Sequence, residues 1–157
     1  MAGVHLRELL ASYGYPLLFL GTVIEGTGVP APIELLILAA GYLIAAGTMN
    51  VAAVWVTVTV GNTIGNSLGY LLGRQGGRPL FTWVAQRLGL SSAEIARAEN
   101  WFARYGGITQ AFSRWIGITR TPAILGAGVT RMPFLSFVGW SIFGDGVWAL
   151  FWTLVAA

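Results

Sequence analysis

The chain has 157 residues, 55% of them hydrophobic and 10% charged, with a net charge of +3. Soluble domains carry roughly 25% charged residues, and so few charges cannot cover a water-soluble fold of one-domain size. All 9 basic side chains are arginine and are spread along the chain, which argues against a nucleic-acid surface; the absence of cysteine excludes disulfides, thiolate metal sites and cysteine nucleophiles.

The opening MAGVHLRELLASYGY lacks the basic, apolar and small-residue order of a signal peptide. It reads as a retained amphipathic lead-in, with His5 solvated. It continues into a first helix over residues 6–24, with Arg7 and Glu8 near its head. Glu25-Gly-Thr-Gly-Val-Pro-Ala-Pro-Ile-Glu34 follows. Its two glycines and two prolines, Pro30 and Pro32, break any helix. Residues 35–47 are apolar but far shorter than the about 20 residues a spanning helix needs. Residues 25–50 are therefore expected to form a re-entrant hairpin.

Residues 51–72 are uncharged and long enough to cross a bilayer. Gly61, Gly65, Gly69 and Gly73 repeat at small-xxx-small spacing, which allows close helix approach within the chain or between two copies. Residues 73–105 hold Arg74, Arg78, Arg87, Arg97 and Arg104 with Glu94 and Glu99. Ser91 or Ser92 can cap a helix running to about Tyr105. The arginine excess places this amphipathic region on the cytoplasmic side. Residues 106–133 are apolar but interrupted by Arg114, Arg120 and Pro122, and read as a second broken hairpin. Arg131 at its end suits a snorkelling anchor. Residues 134–157 form a spanning segment with one charge, Asp145, and with Trp140, Trp148 and Trp152 facing lipid or the interface.

The halves echo each other. Pro32, Ala40-Gly41, Met49 and Gly65-Asn66 in the first correspond to Pro122, Ala127-Gly128, Met132 and Gly144-Asp145 in the second. With residues 73–105 inside, the halves run in opposite directions. The expected fold is an all-α integral membrane protein of inverted repeats. Each repeat is a broken re-entrant hairpin followed by a transmembrane helix, with amphipathic helices between. Secondary transporters of this kind carry their site at mid-membrane, where the breaks meet.

Glu25 and Glu34 sit in one broken segment, Arg114 and Arg120 in the other. An ionised side chain at mid-bilayer costs at least about 2.5–3.5 kcal/mol, so these four are expected to pair or to line water. Arginine binds phosphate bidentately. Phosphate competing for the arginines would release a glutamate to take a proton, a route to proton-coupled movement of a phosphorylated lipid. Glu34 is the stronger candidate for the coupling residue, Glu25 for orienting the arginines, and Asp145 for a second proton site or a helix-packing partner. The competing reading is a set of structural salt bridges. No metal set and no cofactor motif accompany these residues.

The pattern Glu25-x4-Pro30-x-Pro32-x-Glu34, Ala40-Gly41, Gly65-x4-Tyr70-x2-Gly73-Arg74-x2-Gly77 and Phe112-x-Arg114-x5-Arg120-x5-Gly126 resembles the DedA family of SNARE-associated or VTT-domain membrane proteins. The resemblance spans about residues 18–152. It implies a multi-pass protein of the bacterial cytoplasmic membrane with two re-entrant hairpins in inverted repeats. Bacterial members are implicated in undecaprenyl phosphate recycling, membrane-potential homeostasis and resistance to cationic peptides, and eukaryotic relatives scramble phospholipids. The family's essential acidic pair falls on Glu25 and Glu34, and its arginine pair on Arg114 and Arg120. Two departures stand out. Asn66 occupies a position where the family has an acidic residue, which leaves Asp145 to substitute, and the family's amide is absent at Ser141. A further C-terminal spanning helix is also expected from the resemblance. The functional expectation is a flippase for a lipid phosphate, undecaprenyl phosphate first, with protons or sodium ions as candidate coupling ions. The alternatives are a non-selective phospholipid scramblase and a membrane-bound lipid phosphatase.

Overall fold

The structure is a computed structural model that describes residues 2–29, 31–117 and 120–157, with side chains at Glu8 and from Ser12 onward. Pro30, expected at the first break, lies outside the described residues, as does the side chain of His5. In hydrocarbon every backbone N–H and C=O must find a partner within its own segment, which drives apolar runs into helices. Among the described residues these are α1 (Ala2–Gly26), α2 (Ile33–Ala45), α3 (Val51–Arg87), α4 (Ser92–Ser113), α5 (Arg120–Val129) and α6 (Phe134–Ala156). The fold is all-α, as the composition led one to expect.

The central rod is α3, which packs against α1, α5 and α6. Three apolar clusters lie along it. One joins Leu18, Ile33, Ile37, Val54, Val58 and Trp148, from α1, α2, α3 and α6. A second joins Tyr70, Ile124, Ala127 and Phe137. The third joins Phe81, Ala85, Ile95 and Leu125, where α4 folds back on the end of α3.

The outside of the molecule is apolar. Val56, Val60, Ile64, Leu68 and Leu71 make an exposed row on α3, and α6 exposes Leu135, Ile142, Leu150 and Leu154. Asn62, Asn66, Ser141 and Asp145 point inward from the same two helices and are buried. A water-soluble helix puts these classes the other way round, so lipid is the matching solvent. Among the described residues, α6 is the one helix with both the length and the hydropathy of a span. The expected span 51–72 falls short in hydropathy because α3 carries many polar groups. Several of these are satisfied within the helix: Thr57, Thr59 and Ser67 each donate to the carbonyl four residues earlier, at 2.7, 2.8 and 2.8 Å.

Several boundaries differ from the sequence expectation. The first helix runs past residue 24 to Gly26, because Gly26 packs flat against Gly65 and the helix is released only at Gly28, with φ 97°. Glu25 therefore sits in the last turn of α1 and not in the break. The third helix continues past residue 72. It leaves helical geometry at Gly77 (φ 64°) and resumes through Arg87, with Pro79 in the first turn of the new arm, where its missing N–H costs nothing. Ser91 caps α4 in a reciprocal box with Glu94, and the Ser91 N–H holds the Glu94 carboxylate below its ordinary pKa. The helix bends at Tyr105 but runs on to Ser113. Pro122 is not a break: it lies in the first turn of α5, a position proline tolerates.

The glycine stripe is occupied within the chain. A β-carbon at Gly65 would overlap the Val23 carbonyl oxygen, and one at Gly73 the Leu125 carbonyl oxygen. Gly65→Val is accordingly expected to cost about 1–3 kcal/mol, the usual penalty for forcing packed helices apart. A lowered unfolding midpoint in detergent would register it; an unchanged midpoint would mean that α1 is free to move off α3.

Candidate functional site: a closed ring of charges

The two chain breaks lie against each other, with the Thr121 hydroxyl donating to the Gly28 carbonyl at 2.9 Å. Around this junction five side chains from five helices close a ring. Glu25, in the last turn of α1, bridges both arginines: Oε1 lies 2.6 Å from Arg120 Nη1, and Oε2 lies 3.2 Å from Arg114 Nη2. Arg120 opens α5, and its Nη2 donates to Asn66 Oδ1 on α3 at 3.0 Å. Asn66 Nδ2 donates to Asp145 Oδ2 on α6 at 2.7 Å. Asp145 Oδ1 returns to Arg114 Nη1 at 3.3 Å, and Arg114 caps α4.

The ring is nearly dry. Side-chain exposures are 3% for Arg114, 4% for Asp145, 8% for Arg120 and 14% for Glu25. Such burial is tolerable only with full charge compensation, and two guanidiniums face two carboxylates. Arg120 also donates to Asn62 Oδ1 and to the Glu25 carbonyl, each at 3.2 Å. The Arg114 guanidinium lies 3.8 Å above the Trp148 ring, a cation–π contact strengthened by desolvation. Some donor capacity remains over: Arg114 Nε and Asn62 Nδ2 are buried without a hydrogen-bond partner among the described residues, and Arg114 Nη1 meets Asp145 as an ion pair without hydrogen-bond geometry. Buried donors left unmade are costly, and an incoming anion is the kind of group that would use them.

The structure thus brings together Glu25, Arg114, Arg120, Asp145 and Asn66. It does not bring Glu34 to them. Glu34 stands exposed in the first turn of α2, just after Pro32, without an ion pair among the described residues. A carboxylate there complements the helix N-terminus. Tyr70 is fully buried and donates to the Met132 carbonyl, with its ring 4.7 Å from that of Phe137, so it pins the α5–α6 turn to α3. Arg74 and Arg131 are exposed, Arg131 with φ 53°. Among the described residues no group of three acidic or histidine side chains is placed to hold a metal.

Two ring partners escaped the sequence reading. Asn62 lies one turn before Asn66 on the same face of α3, a spacing that could have revealed it. Trp148 was expected at lipid or interface, yet it is buried; it follows Asp145 by three residues and so shares its inward face. At Ser141, where the resemblance led one to expect an amide, Gln110 Nε2 from α4 donates to Ser141 Oγ at 3.4 Å.

Residues 29–157 match the VTT domain. The chain belongs to the VTT-domain, or DedA, family. It is 35% identical over 144 residues to an uncharacterized membrane protein of Synechocystis sp., covering 92% of this chain and 66% of that protein. It is 30% identical over 141 residues to undecaprenyl phosphate transporter A of Bacillus subtilis, covering 90% and 69%. Protein DedA of Escherichia coli is 29% identical over 158 residues, covering 96% and 72%. This DedA-family chain spans about two thirds of the length of these relatives. No solved structure matches it. The Synechocystis relative is named a membrane protein, in keeping with the apolar exterior of α3 and α6.

Proposed function

We propose that this protein carries a lipid phosphate across the bacterial cytoplasmic membrane, with undecaprenyl phosphate as the first candidate. The observation that carries this reading is the buried ring itself, in which two arginines, Arg114 with spare donors, meet two carboxylates at a junction of two chain breaks. A phosphomonoester offers the paired oxygens that guanidinium forks accept. On binding it competes with Glu25 for both arginines, and the released carboxylate becomes a proton acceptor. Movement of the anion is thereby tied to a proton. The printed name of the Bacillus subtilis relative supports the same cargo. In this reading the end of α1 with α2, and the end of α4 with α5, are re-entrant hairpins of inverted halves. The arginine-rich stretch 73–105 faces the cytoplasm.

The test is a headgroup-resolved assay in proteoliposomes with and without a pH or sodium gradient. Polyprenyl phosphate is expected to cross at least about tenfold faster than phosphatidylcholine, and faster still when the gradient brings protons with it. Equal movement of both lipids would make the protein a non-selective scramblase, and release of inorganic phosphate would make it a phosphatase; either result overturns the proposal.

A further inference from the structure

Beside the second break lies a cavity of about 560 Å³ that the ring does not use. It exists because α4 bends at Tyr105, so that the two segments of that helix and the end of α3 enclose a hollow. Phe102, Ser113 and Pro122 line its floor and are buried; Trp101, Phe112 and Ile116 line its mouth and are exposed. The size falls in the range of about 300–1,000 Å³ typical of sites for discrete ligands.

Its chemistry is that of hydrocarbon. Three polar side chains reach the wall, and each is engaged within the protein. Glu94 accepts from the Ser91 N–H at 2.7 Å. Thr109 accepts from the Trp101 indole at 2.7 Å and donates to the Tyr105 carbonyl at 2.9 Å. Ser113 donates to the Gln110 carbonyl at 3.0 Å. A water entering the cavity would find few partners, which is the condition under which a cavity takes apolar groups.

Its position ties it to the arginines. Ser113 immediately precedes Arg114, and Pro122 follows Arg120 by two residues. The same stretch of chain therefore turns its guanidiniums to the ring and its apolar side chains to the cavity. Resting on the lipid-phosphate reading above, we infer that this cavity docks one hydrocarbon chain of the lipid whose phosphate the arginines take. The occupant is fixed by that continuity: the two sites together match a molecule with an anionic head and a flexible apolar chain joined at short range. The tail gains little affinity by leaving lipid for an equally apolar wall. The cavity instead sets where the head stands, beside the ring, before it enters.

The experiment uses the full chain in phosphatidylcholine vesicles with two photoactivatable probes that share one diazirine-bearing chain. One ends in a phosphomonoester, the other in phosphocholine. Adducts of the phosphomonoester probe within residues 88–122 are expected to exceed those of the phosphocholine probe at least about fivefold. Ala98→Phe, which fills the cavity from α4, should abolish that excess while the row at Val56, Val60 and Ile64 is labelled equally by both probes. Should the variant misfold, the wild-type comparison still decides. Equal labelling of the cavity by both probes, in a protein that still prefers phosphomonoesters in transport, overturns the docking inference alone. Loss of the transport preference itself would instead overturn the function proposed above. Chain-to-chain crosslinks at Phe112 and Ile116 in place of lipid adducts would give the cavity to a second copy and also overturn the inference.

Discussion

Arg120→Ala is expected to lower stability by about 3–5 kcal/mol, the cost of breaking a buried ion pair from one side, and to bring lipid-phosphate transport to background. The guanidinium it removes touches Glu25 Oε1, the Glu25 carbonyl, Asn62 and Asn66. Its loss leaves the two buried carboxylates, Glu25 and Asp145, facing Arg114 alone. Much of the penalty belongs to that uncompensated negative charge, so a double replacement distinguishes the parts. Glu25→Ala with Arg120→Ala should cost less than the two single changes added together, by about 0.5–3 kcal/mol, because residues in one network couple on that scale. Strict additivity in unfolding titrations in detergent would mean that the pair seen at 2.6 Å does not operate. Arg120→Lys should rescue little, since a single ammonium cannot span four acceptors set out for a planar fork.

The second large effect is an exchange. Asn66 and Asp145 face each other at 2.7 Å from α3 and α6, each also touching one arginine. Asp145→Asn alone leaves two guanidiniums opposite one carboxylate and should cost several kcal/mol, on the order of the about 3–5 kcal/mol of a broken buried pair. Adding Asn66→Asp returns the missing charge across the same hydrogen bond. The doubly exchanged protein should recover most of the stability, to within about 1 kcal/mol of the parent, together with transport. A double variant no better than Asp145→Asn would show that the carboxylate must stand on α6.

What the sequence made legible follows from its strongest physical signals. The apolar excess and the scarcity of charge imposed helices and a lipid-facing exterior. Charges that are expensive in hydrocarbon had to find one another, and for Glu25, Arg114 and Arg120 the structure shows that they do. The ends of elements were harder to read. Gly26 reads as a breaker, yet it is retained in α1 because Gly65 needs its flatness on the facing helix, and that tertiary contact carries Glu25 inward. Glu34 follows the break, so its direction depends on how α2 docks on α6, which local pattern does not encode. Trp148 was assigned outward on the general habit of tryptophan at membrane interfaces, whereas its register with Asp145 directs it onto Arg114. The Asn66–Asp145 pair between α3 and α6 was visible only as an unexpected Asn66 and an isolated Asp145; the packed structure joins them.

The ring contains two guanidiniums and two carboxylates, which cancel formally. Such a site adds no formal net charge for the membrane voltage to act on; under the proposed function, that charge would come with the cargo. Each elementary charge carried across 100 mV changes in energy by about 2.3 kcal/mol. A phosphomonoester brings about 1.5 to 2 negative charges at neutral pH. Its bare transit toward a negative interior would therefore run uphill by about 3.5–4.6 kcal/mol per 100 mV, and each accompanying proton would remove about 2.3 kcal/mol of that. In the transport proposed above, voltage would act on the charge of the phosphate less the protons that accompany it, so the steepness of the voltage dependence, set against the headgroup charge, would report how many protons travel with the lipid.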